Sequence, residues 1–426
     1  MVLLSFSVTN FKGFKDTAFL TLNGASNELA SKCRATDSGK ESLGYVSHVA
    51  GIFGANGAGK SSLIDAINYA QHLVISSATT KTHGDKLYFK PHAFDPISRS
   101  NPSEYEFLFK TNSTFFRYGF SHDKHKFTEE WLYEIPLAPS KRQRRWFSRE
   151  FEPETDQYTW SINSDYIREG NRLKKGTRPN ALFLSSAVRD NCKSLTSLFS
   201  WFKDKLHIIR ADERVDTEHT ASKLLSDKAH QIKDLLKSAG IMFDDIAVKE
   251  RELSKEDISF KSDMPKELEN LVLKQLEGKK EFDVKFVYQS VGDETVALPL
   301  TDESDGTQAL FSLAFPLIDV LQDSATLIVD ELHNNLHPNL LRYVVSLFNN
   351  QTPSDKAAQL IFSSHDTSIL SPIELSENQI WFVEKDDAGR ATSYSLSDYT
   401  GLRSSNYSKM YLDGRFGAVP EITRRF

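Results

Sequence analysis

The chain has 426 residues, more than one hydrophobic core usually organises, which predicts one large domain with a substantial insertion or two domains. Its content of 39% hydrophobic and 26% charged residues is ordinary for a soluble globular protein, and no apolar run approaches the roughly 20 residues that span a bilayer. With 52 Lys and Arg against 58 Asp and Glu, the net charge is -6. This balance excludes a uniformly basic surface, so any nucleic-acid contact requires a local patch.

The cysteines and the N-terminus favour a cytoplasmic protein. Cys33 and Cys192 are the two cysteines, far apart and without CxxC spacing, which fits reduced thiols. The first residues, MVLLSFSVTNFKGF, lack a basic region and a small-residue cleavage site, so they indicate a strand and not a signal peptide. We therefore expect a soluble protein that does not contact a membrane.

The first third of the chain predicts strands around one helix. Alternating Leu4, Phe6 and Val8 indicate one strand, and the apolar run Val49 to Phe53 indicates another. A helix follows from about Ser61 to Ile75. The aromatic, alternating stretch from Tyr105 to Tyr133 predicts an antiparallel meander.

The middle of the chain predicts a compact insertion. Residues 138–180 are polar and basic, Thr217 to Ser238 is typical of one amphipathic helix, and Pro265 to Leu276 indicates a second helix. The residues expected to face inward on the first helix are Leu224, Leu225, Ile232, Leu235 and Leu236. No heptads persist over three or four repeats, so we expect no long coiled-coil arm.

The last third predicts an α/β core. From Val296 to Phe382 strands and helices alternate, and the apolar runs Thr326 to Val329 and Leu360 to Phe362 suit buried parallel strands.

The sequence GANGAGKS at Gly54 to Ser61 fits the phosphate-loop pattern GxxxxGK[ST] between a predicted strand and a predicted helix. Glycines let backbone N–H groups turn toward a β-phosphate, Lys60 neutralises phosphate charge, and Ser61 ligates Mg²⁺. The predicted nucleotide-binding residues of this segment are Gly54, Asn56, Gly57, Ala58, Gly59, Lys60, Ser61 and Ser62. A chance glycine-rich turn is the alternative.

The strand Thr326 to Val329 ends in Asp330 and Glu331, as a Walker B element requires. Asp330 would hold Mg²⁺ and Glu331 would polarise the attacking water. A strand with an acidic turn is the alternative.

The wide spacing between Lys60 and Asp330 and the motifs around it resemble those of ABC and SMC ATPases. Ser304, Asp305 and Gly306 resemble the SxG signature loop; ordinary capping of the following helix, expected over Gln308 to Leu321, is the alternative. Residues 334–338 (NNLHP) resemble a D-loop, and His365 after an apolar strand resembles the switch histidine. The opening NFKGF, which contains Lys12, resembles the start of SMC, RecF and OLD-type ATPases.

The closing segments FVEKDDAGRATSYSLSDY and YLDGRFGAVPEI resemble the tail of bacterial stand-alone AAA ATPases, including subunits of phage-defence and retron-associated systems. The resemblance implies an α/β P-loop NTPase of the ABC/SMC head type, with an antiparallel β lobe and a compact mixed or helical insertion. The resemblance covers roughly residues 1–75 and 296–426 and little of the middle. We expect the chain to divide into 1–135 (Walker A and β lobe), 136–290 (partly helical insertion) and 291–426 (signature, Walker B, D-loop and switch histidine).

The resemblance also implies the activity. ATP and Mg²⁺ would be bound. The choice of ATP over GTP comes from the resemblance, since no motif in the sequence distinguishes the two bases. Glu331 and His365 would be catalytic, Lys12 would contact the nucleotide, and the signature loop would bind the γ-phosphate held by a second protomer. The expected species is at least a dimer that switches a separate effector, such as a Toprim or HNH nuclease or a retron complex. A RecF-like or SMC-like ATPase acting directly on DNA is the alternative function; a transporter subunit is disfavoured by the NFKGF start and the insertion.

Several weaker patterns have plain alternatives. His333 and His337 do not complete HExxH, so a zinc site is disfavoured. The stretch Glu384 to Asp387 resembles Toprim acidic residues but reads as a hairpin turn, and too few residues follow for that nuclease domain. The basic stretches 141–145 and 172–178 favour a solvated loop over a nucleic-acid patch.

Overall fold

The computed structural model describes residues 2–25, 27–32, 34–111, 113–137, 142–211, 217–252, 280–290, 294–351, 357–399 and 406–420. Cys33 and the predicted helix at 265–276 lie outside these ranges. The chain forms two compact units. The first unit comprises Met1–Glu213, Val320–His333 and Leu341–Phe426, and the second comprises Arg214–Asp319 and Asn334–Leu340.

The described residues form strands and helices in a mixed order. The strands are β1 (Val2–Thr9), β2 (Ala18–Thr21), β3 (Asn23–Ala25), β4 (Ala35–Asp37), β5 (Tyr45–Ser47), β6 (Val49–Phe53), β7 (Ser103–Thr111), β8 (Thr114–His122), β9 (Phe127–Ile135), β10 (Arg144–Glu152), β11 (Gln157–Ile162), β12 (Leu206–Ile209), β13 (Asp245–Glu252), β14 (Lys280–Gln289), β15 (Thr295–Pro299), β16 (Thr326–Val329), β17 (Gln359–Ser363), β18 (Ile380–Lys385) and β19 (Ala391–Ser395). The helices are α1 (Asn27–Ser31), α2 (Lys60–Ser76), α3 (Gly170–Gly176), α4 (Phe183–Arg189), α5 (Lys193–Asp204), α6 (Thr217–Leu224), α7 (Ala229–Ser238), α8 (Asp305–Asp323), α9 (Pro338–Asn349) and α10 (Tyr407–Leu412).

A six-stranded sheet forms the α/β core of the first unit, in the order β12-β16-β17-β6-β18-β19. Its strands are parallel except β19, which pairs antiparallel with β18. All residues of β6, β16 and β17 are buried, which explains their continuous apolar sequences. The predicted strands at 49–53, 326–329 and 360–362 are confirmed, as is the hairpin turn before Ala391. The four-residue strand β12 was not predicted.

A seven-stranded antiparallel sheet, in the order β11-β10-β9-β8-β7-β1-β2, forms the predicted β lobe. The meander expected from Tyr105 to Tyr133 is confirmed and continues through β10 and β11, so this sheet extends on both sides of position 135. One face carries the apolar residues of each strand. Trp201 and Phe202 of α5 cover part of it, with the Trp201 ring stacked 4.2 Å from that of Phe109. The alternation in the sequence therefore reports a sheet with one buried face.

Gln359 connects the start of β1 to the six-stranded sheet. Its buried side-chain amide accepts from the Leu3 N–H at 2.7 Å and donates to the Leu3 carbonyl at 2.9 Å. The same amide oxygen accepts from the Thr326 hydroxyl at 3.0 Å. One polar side chain thus satisfies both backbone polar groups of Leu3.

The second unit contains α6, α7 and an antiparallel sheet in the order β13-β14-β15. The single helix predicted over Thr217 to Ser238 is wrong: α6 ends at Leu224 and α7 begins at Ala229. Between them the Ser226 hydroxyl donates to the Lys223 carbonyl and accepts from the Lys228 N–H, so this side chain stabilises a turn. Leu225, expected to face inward, is 51% exposed because the break rotates it out of the helical stripe.

A fully buried ion pair joins the β lobe to α4. Glu130 and Arg149 lie side by side on β9 and β10, 2.9 Å apart and without exposed side-chain surface. The Glu130 carboxylate also accepts from the Tyr118 hydroxyl at 3.0 Å and from the N–H groups of Phe183 and Leu184 at 2.6 and 3.0 Å. These amides are at the first turn of α4, so a buried carboxylate satisfies the helix start.

The His122 imidazole is fully buried among aromatic rings, and burial lowers its pKa to about 4. The unfolded chain takes up a proton near its ordinary pKa of about 6.5, whereas the folded chain does so only near 4. We therefore expect the free energy of unfolding to fall by about 3 kcal/mol from pH 6.5 to 4 through this residue. Urea unfolding of wild type and His122→Phe at several pH values measures it, and the variant should lose this share of the pH dependence. An exposed control, His125→Gln, should retain it, and equal slopes in all three proteins would contradict the assignment.

Within the ranges that the structure describes, none of the helices is both long and apolar enough to cross a membrane.

Candidate nucleotide site

The phosphate loop lies between β6 and α2, and its glycines have the backbone the motif requires. Gly54, Gly57 and Gly59 have φ values of 152°, 77° and 121°. A Cβ on Gly54 would stand 2.2 Å from the Val383 carbonyl oxygen, whereas a Cβ on Gly57 would meet nothing within 4 Å. Gly54 is therefore required by close packing against β18, and Gly57 faces open space where a phosphate group fits.

Lys60 is the first residue of α2 and is only 5% exposed. Its Nζ donates to the carbonyls of Gly54 and Ala55 at 2.9 and 3.1 Å. Burial lowers the Lys60 pKa to about 8, although the nearby carboxylates Glu331 and Asp330 oppose the shift. A phosphate group would restore a full counter-charge to this ammonium.

The other predicted loop residues surround this lysine. Ala58 is buried and donates its N–H to the Ala55 carbonyl at 3.2 Å, closing the turn. Asn56 and Ser61 are exposed, and Ser62 is half-buried on the first turn of α2. The start of this helix thus carries two hydroxyls beside the backbone N–H groups that favour an anion.

Two acidic residues follow β16, and Ser363 contacts the carboxylate of the first and the backbone of the second. The Ser363 hydroxyl donates to Asp330 Oδ1 at 2.5 Å and accepts from the Glu331 N–H at 2.7 Å. Glu331 itself has a left-handed φ of 54°, which turns the chain sharply after the buried strand. Sequence reasoning did not select Ser363, because its role depends on the pairing of β16 with β17.

His365 completes the cluster from the segment after β17. Its Nδ1 lies 3.5 Å from Lys60 Nζ, and its Nε2 lies 3.9 Å from Glu331 Oε1. Burial, together with Lys60 and His333, lowers the His365 pKa and favours a neutral ring. With Nδ1 facing the ammonium, the proton of a neutral ring belongs on Nε2, on the side of Glu331.

His333 is a neighbour that the sequence argument considered only as a zinc ligand. Its ring centroid lies 5.5 Å from that of His365, and burial lowers its pKa. Over the described ranges, no group of three or more His, Cys, Asp or Glu side chains is arranged to hold a metal ion.

The residues fit a magnesium-nucleotide complex. The open face at Gly57 and the buried Lys60 suit phosphate groups. Ser61 and Asp330 offer oxygen ligands, and Mg²⁺ commonly takes one or two protein oxygens while the substrate and water supply the rest. Asp330 is 8% exposed and held by Ser363, so its carboxylate is fixed before any metal binds.

Lys12, the predicted nucleotide contact in the NFKGF segment, forms an ion pair with Asp65 of α2. Arg210, which directly follows β12, also contacts Asp65, with Nε to Oδ1 at 3.4 Å. Arg210 and Asp65 were not predicted as site residues. The sequence signal for Arg210 is the mostly apolar run LHII followed by a charged residue, because the Walker B strand is also an apolar run followed by charged residues.

The signature-like residues belong to the second unit. Ser304 and Asp305 are exposed at the start of α8. The Ser304 hydroxyl accepts from the Thr307 N–H at 3.2 Å, the contact that the helix-cap alternative predicts. A Cβ on Gly306 would lie 3.3 Å from the Asn335 carbonyl oxygen, so the signature loop and the D-loop-like residues 334–338 pack together within this unit.

The basic residues of the insertion are distributed over several contacts. Arg144 lies 3.4 Å from Glu134, Arg172 forms an ion pair with Glu169 at 2.5 Å, and Arg178 donates to the Ala78 carbonyl at 3.1 Å. Lys141 lies outside the described residues. The solvated loop expected for these stretches stays a prediction, and a nucleic-acid patch stays its alternative.

A phosphate loop between a buried parallel strand and a helix, with carboxylates at the end of another strand of the same sheet, is characteristic of the P-loop NTPase class of folds. Within that class the chain belongs to the family described as "AAA domain, putative AbiEii toxin, Type IV TA system", whose model matches residues 49–371. This match confirms the predicted AAA-family assignment.

Comparison with solved structures finds similarity to the SMC head domain from Thermotoga maritima. The alignment has a TM-score of 0.39 and 13% sequence identity, and it covers 93% of this chain and 99% of that chain. No curated protein matches the sequence.

Proposed function

We propose that the protein hydrolyses ATP with Mg²⁺ and uses the cycle to switch a separate effector. The observation that carries the proposal is that His365 lies between Lys60 and Glu331, 3.5 Å from one and 3.9 Å from the other, although the three come from distant segments of the chain. Asp330 is tied to the same cluster through Ser363. An ordinary acidic turn after a strand would not require this arrangement.

Each side chain has a role that its surroundings support. Lys60 stabilises negative charge on the phosphates. Its ammonium donates to two neutral carbonyls of the loop, and a phosphate oxygen can replace them as the acceptor. Glu331 orients and polarises the attacking water. His365, neutral and protonated on Nε2, donates toward the same region. Bound Mg²⁺ would neutralise phosphate charge, with Ser61 and Asp330 as its protein ligands.

We further propose that hydrolysis requires two protomers. Ser304 and Asp305 are exposed at the first turn of α8, where backbone N–H groups and the helix dipole favour an anion. The resemblance to ABC ATPases assigns these groups and Gly306 to the γ-phosphate held by the partner protomer.

Mixing two inactive variants tests this two-protomer arrangement. Lys60→Ala removes phosphate binding, and Ser304→Arg places a long cation where the partner's nucleotide would dock, so each variant alone should lose turnover. In a mixed dimer the intact phosphate loop of one protomer meets the intact signature loop of the other. Randomly exchanged protomers should therefore recover about a quarter of wild-type phosphate release, since half of the dimers are mixed and each has one complete site.

The control for this test is a mixture of Lys60→Ala with the double variant Lys60→Ala/Ser304→Arg, which contains no complete site. Equal activity in both mixtures, or wild-type activity of Ser304→Arg alone, would contradict composite sites.

The effector is proposed as a separate protein, a Toprim or HNH nuclease or a retron complex, in bacterial defence against phage. The description of the family names a toxin–antitoxin system, which is a pairing of separate components. We expect the chain, expressed with its genomic neighbours, to co-purify with one of them in a nucleotide-dependent manner. Lack of association with ATP, ADP and no nucleotide alike would refute the partnership.

A further inference from the structure

One large aromatic side chain lies exposed beside the phosphate loop. Phe94 is 67% exposed, in the irregular segment between α2 and β7. Its ring packs edge to face against His92, with centroids 5.6 Å apart. His92 is 1% exposed, and its Nδ1–H donates to the Lys12 carbonyl at 3.2 Å. Its backbone N–H donates to the Asn10 side-chain oxygen at 3.0 Å. The exposed ring therefore packs on a buried side chain that is held in place.

Asn10 fixes the rest of this segment. Its side-chain amide donates to the carbonyls of Ser98, Asn101 and Pro102 at 2.8, 2.7 and 3.2 Å, and its Oδ1 accepts from the His92 N–H at 3.0 Å. Asn10 is 4% exposed. The segment that carries Phe94 is thus bound on both sides of the ring to the turn that follows β1.

The turn between β18 and β19 accommodates the ring. Gly389 has a φ of 76°, and a Cβ there would lie 2.6 Å from the Phe94 ring. Glycine is required at this position both by the backbone conformation and by the approach of the ring. One edge of Phe94 is covered by this turn, while two thirds of the side chain stays open to solvent.

The same hairpin forms one wall of the phosphate loop. A Cβ on Gly59 would lie 3.3 Å from Ala391 Cβ, and one on Gly13 would lie 3.2 Å from the same atom. The Ala391 N–H also donates to the Gly13 carbonyl at 2.8 Å. Gly389 is two residues before Ala391, so their Cα atoms are at most about 7 Å apart. The turn therefore approaches the exposed ring at Gly389, and the strand that follows it approaches the glycine before Lys60 at Ala391.

We propose that Phe94 is the platform on which the purine base of the bound nucleotide stacks. In a nucleotide the ribose separates the base from the phosphates. The hairpin turn and Ala391 connect the phosphate loop to the open ring, because Ala391 approaches Gly59 and Gly389 approaches Phe94. The Lys385 Nζ lies over the Phe94 ring, 5.7 Å from its centroid, and adds a cation to this platform. Stacking on an aromatic ring accepts any base with a large π face, so the site binds adenine and guanine alike.

This inference rests on the proposed nucleotide binding. Phe94, which belongs to none of the sequence motifs, becomes a residue that contacts the nucleotide. The test compares wild type with Phe94→Ala, Phe94→Trp and Ile97→Ala in the full chain. Ile97 is an exposed apolar side chain of the same segment, 69% exposed, and is the matched control. Titration calorimetry measures the affinity of each protein for Mg²⁺-ADP, Mg²⁺-GDP and Mg²⁺-tripolyphosphate. Tripolyphosphate has phosphates and no base.

Phe94→Ala should weaken ADP and GDP binding by roughly tenfold each and leave tripolyphosphate binding unchanged, because only the stacked base loses its partner. Phe94→Trp should restore binding, and its indole fluorescence should respond to ADP but not to tripolyphosphate. Ile97→Ala should match wild type.

Three results overturn the proposal. Wild-type ADP affinity in Phe94→Ala removes the platform. Equal weakening of ADP and tripolyphosphate assigns the effect to a distorted phosphate loop. Failure of wild type to bind any of the three ligands removes the proposed function together with this inference, and is distinguished from the other results because it precedes any substitution.

Discussion

Glu331→Gln should bind ATP as wild type does and lose turnover by at least about a hundredfold, the usual share of a general base in proton transfer. The amide keeps the size of the side chain but cannot accept a proton from water. Its backbone N–H still donates to Ser363, so the Asp330 carboxylate keeps its orientation. Phosphate release measures the loss, and light scattering with ATP should show a dimer that persists because its nucleotide is not consumed.

The comparison variant is Lys60→Ala, which should lose affinity for the nucleotide itself. The two variants therefore separate binding from chemistry at positions that meet in one cluster. Turnover at the wild-type rate in Glu331→Gln would show that the water is activated elsewhere, and would remove Glu331 from the proposed mechanism.

Glu130→Ala should lower the free energy of unfolding by about 3–5 kcal/mol, because it leaves Arg149 buried without its counter-charge. The same change removes the acceptor for two N–H groups at the start of α4. Urea denaturation followed by far-ultraviolet circular dichroism measures the loss. The double variant Glu130→Leu/Arg149→Met, which removes both charges, should recover part of it.

The matched control is Glu129→Gln, one residue earlier on β9 and therefore on the opposite face of the sheet. Burial and the neighbouring Glu150 raise the Glu129 pKa, so neutralising this carboxyl should cost little or should stabilise the fold. Similar losses in Glu129→Gln and Glu130→Ala would show that the effect belongs to β9 as a whole.

The phosphate loop and the Walker B strand were predictable because their evidence is local. A buried apolar run, a glycine pattern and a following helix are contiguous in the sequence, and so are the strand and its two carboxylates. The contacts that order them are not. Ser363 reaches Asp330 only because β17 pairs in register with β16, and nothing near Ser363 in the sequence specifies that partner.

The β lobe shows the same division. Alternation predicted its strands, but Glu130 and Arg149 have the sequence signature of solvent-exposed positions. They are buried because α4 packs on their face of the sheet and its first amides require an acceptor. Likewise, Leu225 fits a helical stripe by spacing alone, and the hydroxyl of Ser226 ends that helix. Side chains that satisfy backbone groups override periodicity at both places.

Strand β6, which leads into the phosphate loop, has β17 and β18 as its two neighbours. Both are made more than 300 residues after it, because β6 ends at Phe53 and β17 begins at Gln359. At about 5–20 residues per second, a ribosome needs roughly 15–60 s to deliver the first of them. Throughout that time the apolar strand Val49–Phe53 lacks its native partners, so the nascent chain exposes an unpaired apolar strand that can aggregate before the sheet forms.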